Sequence, residues 1–107
     1  MTHDELLNTH PLLQSAECGV SVPHGWIALV HDLMSKLEAI GGVRVDQIKQ
    51  KFGSLRVYVA YKAALHNAEV DRLIDDAEDV ASRTCEVCGA DGKLVGYRVR
   101  CSDHRAK

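Results

Sequence analysis

The chain has 107 residues, 46% of them hydrophobic and 26% charged, with a formal net charge of −2. A length of this order supports one modest core and is short enough that an extra staple helps; the composition excludes wholesale disorder, and the balance excludes both a strongly basic and a uniformly acidic protein. The charge is nevertheless segregated, with −4 on residues 1–42, +4 on 43–66, −5 on 67–82 and +3 on 83–107.

From the N-terminus, MTHDELLNTH carries acids where a secretory leader carries a basic and then an apolar region, and no run of about 18 apolar residues follows. A cytoplasmic protein with no membrane segment is expected. Thr2 and Glu5 have capping-box spacing, which predicts a short helix to about Asn8, broken by Pro11. Trp26, Val30, Leu33, Leu37 and Ile40 recur at steps of four and three, which predicts a helix over 24–40 between Pro23 and the pair Gly41, Gly42. Residues 54–60, SLRVYVA, alternate as a strand does. Val43 and Val45 share one parity and Ile48 and Phe52 the other, so burying all four needs a bulge in a hairpin that turns near Gly53; a short helix over 46–52 is the rival. Val70, Leu73, Ile74, Ala77 and Ala81 mark a second long helix over 67–83, capped by Asn67, with Asp75, Asp76, Glu78 and Asp79 on its solvated face.

Cys85 and Cys88 are two residues apart, twelve residues precede Cys101, and two more precede His104. Two close pairs joined by such a loop are what tetrahedral zinc requires, and Gly89, Gly92 and Gly96 supply the turns. A CxxC redox pair leaves Cys101 and His104 unexplained, and disulfides suit an exported chain. With four protein ligands no coordination position is left open, so the ion is expected to be structural. Ser102 can begin a short terminal helix carrying His104, giving a treble-clef-like module; a zinc ribbon is the alternative. Cys18, near His24 and His31, reads as a small packed thiol rather than a nucleophile.

The stretches ECG at 17–19 with GW at 25–26, VDQIKQKFGSLRVYV at 45–59, and CEVCG with a later CxxH resemble, in this order, a family of small proteins from bacteria, prophages and phages. The resemblance covers residues 17–104. It implies a zinc-stapled domain and brings interference with host machinery into view, but no catalytic residue.

The expected architecture is α+β: two main helices packed on a small antiparallel β-hairpin or sheet, with a body over 1–83 and the zinc module over 84–107 in one domain. The expected function is a non-enzymatic, zinc-stabilised binding protein whose partner is another protein, steered by its opposed acidic and basic surfaces. The alternative is nucleic-acid binding through Lys49, Lys51, Arg56 and Lys62 near the hairpin and Lys93, Arg98, Arg100 and Arg105 on the zinc module, with Tyr58 and Tyr97 nearby. A treble-clef nuclease ranks below both, because His104, the module's one histidine, is already a ligand.

Overall fold

Thr2 and Glu5 close the capping box that starts α1 (His3–Thr9): the Thr2 hydroxyl accepts the Glu5 amide at 3.1 Å and the Glu5 carboxylate accepts the Thr2 amide at 3.0 Å. Pro11 then fixes one turn of 3-10 helix over Pro11–Leu13. The structure, a computed structural model, describes residues 1–14, 19–61 and 67–105. Cys18 and Lys62 lie outside the described residues, as does most of the ECG stretch.

The remaining elements are β1 (Gly19–Ser21), α2 (Ile27–Ile40) entered through a 3-10 turn at His24–Trp26, β2 (Val43–Lys51), β3 (Ser54–Tyr61), α3 (Ala68–Ala81), β4 (Lys93–Val95) and β5 (Arg98–Arg100). This is the expected α+β architecture, with a Cys/His cluster at its C-terminal end. Among the described residues no helix is long and apolar enough to cross a membrane.

Helix α2 buries Ile27, Val30, Leu33, Met34 and Leu37, α3 buries Val70, Ile74 and Ala81, and both pack on one face of a three-stranded sheet ordered β1-β2-β3. Asn67 caps α3 by accepting the Glu69 and Val70 amides. β2 and β3 form the predicted hairpin, with Val45 opposite Val59 but Gln47 opposite Tyr58. The extra residue, Asp46, is the bulge that the change of parity required, and it turns Ile48 back into the core.

Two features differ from the sequence reading. Phe52 is not buried with the other three apolar residues of its stretch; it is 62% exposed, at the tip of the hairpin. Lys51 pairs with Ser54, so Phe52 and Gly53 are a two-residue loop, and their φ values of 53° and 80° are those of a turn with two left-handed residues. The sheet also has a third strand, β1, parallel to β2 over Gly19–Ser21 and Gln47–Lys49. Three residues carry no alternation long enough to read.

Candidate metal centre and its neighbouring surface

The ligand atoms of Cys85, Cys88, Cys101 and His104 all lie within 4.8 Å of one another. The Sγ atoms of Cys88 and Cys101 are 3.7 Å apart, and His104 Nδ1 is 3.6 Å from Cys85 Sγ and 3.0 Å from Cys101 Sγ. A tetrahedral ion with bonds of about 2.3 Å to sulfur and about 2.0 Å to nitrogen has edges near 3.8 and 3.5 Å. The four side chains therefore converge on one point and can hold a metal ion.

Local backbone makes this convergence. The Gly89 amide donates to the Cys85 carbonyl at 2.9 Å, with Gly89 at φ 82°, and the Cys85 amide donates to the Ala90 carbonyl at 2.7 Å. These bonds fold CEVCGA into a knuckle. The β4-β5 hairpin brings Cys101 round, and the His104 amide closes a turn on the Cys101 carbonyl at 3.1 Å. That turn replaces the predicted terminal helix, because a ligand three residues beyond Cys101 needs only one reversal of the chain.

Burial opposes ionisation of the Cys85 thiol, but amides of Cys101, Cys88 and Val87 aimed at its sulfur prevail and bring it down to about 6. At Cys88 the Ala90 amide favours the thiolate, yet desolvation and the crowded Cys101 and Cys85 sulfurs outweigh it and push that thiol up. Adjacent thiolates repel, and a cation between them removes the conflict.

The module is welded to the body. A Cβ on Gly25 would sit 2.1 Å from the Cys85 carbonyl oxygen, so only glycine permits this approach, and the Gly25 amide donates to the Glu86 carbonyl at 2.8 Å. Trp26, fully buried, donates its indole N–H to the Thr84 carbonyl at 2.9 Å. The buried Glu86 carboxylate accepts from Arg100 Nε at 2.7 Å and from the Gln50 side chain of β2. At the hairpin tip a Cβ on Gly53 would meet Leu94 Cδ1 at 2.6 Å. The GW and KFG stretches are thus the two docking points of the metal module.

The basic residues separate into groups. On the outer sheet face, away from the helices, Lys49 stands directly opposite Arg56, and Gln47 opposite Tyr58. Lys49 Nζ lies 5.6 Å from the centre of the Tyr58 ring, and Lys51 Nζ 5.8 Å from that of Phe52. The Phe52 ring is 5.3 Å from that of Tyr97, itself 69% exposed, and Arg98 lines a concavity with both rings. Glu86 draws Arg100 inward and also lies 3.9 Å from Arg98 Nε, Lys93 faces Arg100 across the β4-β5 hairpin, and Arg105 has a buried Nε with no hydrogen-bond partner among the described residues.

One polar cluster has no local sequence signal. His10, 2% exposed, places Nδ1 2.8 Å from the Glu38 carboxylate and Nε2 2.6 Å from His31 Nδ1. A carboxylate oxygen accepts, so His10 donates through Nδ1, and its Nε2 then accepts a hydrogen bond from the His31 Nδ1–H. This chain clasps the segment after α1 to α2; histidines 21 residues apart cannot be matched by spacing.

Comparison with family models, curated proteins and solved structures returned no match. The functional argument therefore rests on the geometry.

Proposed function

We propose that this chain is a zinc-stapled binding module whose outer sheet face takes a single-stranded nucleic acid. Three thiolates and an imidazole gathered within 4.8 Å suit zinc, and with all four positions filled by protein the ion has a structural role. Its part is to hold β4-β5, and with it Tyr97 and Arg98, against the β2-β3 hairpin.

The observation that carries the reading is the succession of neighbouring cations and rings, Lys49 by Tyr58, Lys51 by Phe52 and Phe52 by Tyr97, running to the hairpin tip. Like charges directly across two strands, as at Lys49 and Arg56, cost stability unless an anion lies over them. A bulky aromatic at left-handed φ, as at Phe52, stores about 1 kcal/mol of strain, a cost that its contact with Tyr97 only offsets while leaving the ring 62% exposed. Phosphates over the cations and bases stacked on the rings account for both costs. The protein-partner expectation attaches to the opposite, acidic side of the molecule.

The test is a fluorescence-anisotropy titration of a labelled oligothymidylate of roughly twelve nucleotides at rising salt. Contacts from Lys49, Lys51, Arg56 and Arg98 predict a log–log slope near about −3, which K49A/R56A reduces by about 1.4. Phe52→Asn and Tyr97→Ala each lower affinity by about tenfold with the slope unchanged. No binding at low salt, or binding indifferent to all four substitutions, refutes the reading.

A further inference from the structure

Among the described residues strand β3 is an edge, with β2 as its one sheet neighbour. Across Ile48 and Val57 the Val57 amide does not enter the ladder but donates to the Glu78 carboxylate of α3 at 3.3 Å. Residues two apart on a strand point their amides the same way. The Val59 amide and carbonyl are therefore also turned away from β2, toward a groove lined by Val57, Val59, Tyr61, Ile74, Asp75 and Glu78. Asp71, at the end of this groove, accepts the Tyr61 hydroxyl at 2.5 Å. Glu78 thus stands where the carbonyl of a further strand would stand, and Asp75 lies one helical turn before it on α3.

We infer that this groove accepts an extended basic peptide as a fourth strand on β3, with lysine or arginine at alternate positions turned toward Asp75 and Glu78. Strand addition supplies main-chain bonds to the Val59 backbone, the Val57 amide staying with Glu78, and the period of two puts every second side chain of the ligand on the α3 side. Charge selects those side chains. Residues 67–82 carry −5, and burial pushes the Glu78 carboxyl up, with Asp75 adding to the effect and the Val57 amide and Arg56 opposing it. A cation arriving beside Glu78 relieves that desolvated charge. The proposal rests on the β3 edge and α3 rather than on the cations of the nucleic-acid reading, with Tyr58 lining both the groove and the outer face.

The probe is a labelled peptide of alternating lysine and threonine, roughly seven residues long to match β3. It is compared with a peptide of the same composition whose lysines are contiguous, and with one N-methylated at alternate amides so that it cannot join a ladder. The alternating peptide should bind and the N-methylated one should not, with the contiguous one weaker. Asp75→Asn together with Glu78→Gln should lower affinity by about tenfold, one exposed and one half-buried charge pair being removed. In amide exchange, Val59 should become protected by the peptide. Equal binding of all three peptides, which is adhesion of a polycation, overturns the proposal. So does sedimentation showing that β3 is already occupied by a second copy of the chain.

Discussion

Tyr61 shows how one side chain ties the sheet to α3. Its hydroxyl donates to Asp71 at 2.5 Å, and this bond, with desolvation and the carboxylate charge, pushes the phenol up to about 12. A phenol whose folded value lies above its ordinary value of about 10 contributes stability only while protonated. The contribution is complete below about pH 10 and is lost as pH rises through about 12. Tyr61→Phe removes the bond and the titration together. Urea midpoints should therefore show a constant deficit for Tyr61→Phe up to about pH 10 that closes toward pH 12; a gap that does not narrow over that window means that the bond does not stabilise the fold.

At the scale of elements, what could be read ahead was whatever a short window contains. Helix α2 announced itself through five apolar residues on one face, and the four ligands through their spacing. The bulge at Asp46 was legible as a change of parity, because a period of two cannot bury both Val45 and Ile48 without an extra residue. Other features depend on partners far along the chain. β1 exists because Val20 meets Ile48 across a parallel ladder, Gly25 is glycine because Cys85 passes within its van der Waals radius, and His10 is buried because Glu38 satisfies it. Phe52 misled for a physical reason: an apolar residue counts as core in any pattern, while its backbone was needed for a turn that favours asparagine. That gives the hairpin its own prediction. Phe52→Asn relieves left-handed strain and loses the contact with Tyr97, each about 1 kcal/mol and opposite in sign. Its melting temperature should stay close to that of the parent while oligonucleotide affinity falls; a fall in both would make Phe52 a structural residue.

At the scale of the whole molecule, the proposed metal acts as a staple whose effect reaches beyond the residues that would grip it. Gly25, Trp26, Gln50 and Gly53 all meet the segment between Thr84 and Arg100, so the turn before α2 and the far end of the β2-β3 hairpin are both referenced to the metal module. Free energy of metal binding is folding free energy where the ligands are not assembled in the unfolded chain. Chelation should therefore loosen the body as well as the tail. Amide exchange should rise in β4 and β5 first, then at Gly25 and Trp26, and stability should drop by more than about 3 kcal/mol, short of the 10–16 kcal/mol typical of isolated zinc fingers. Gly25→Ala separates the two halves of this claim, since it leaves every ligand in place and overpacks the junction at a cost of about 3 kcal/mol. It should retain one equivalent of metal by elemental analysis yet share the altered exchange at the start of α2. If chelation changes only residues 84–105, or if Gly25→Ala is as stable as the parent, the module is a passive appendage. The basic and aromatic face would then need some other means of keeping Tyr97 beside Phe52.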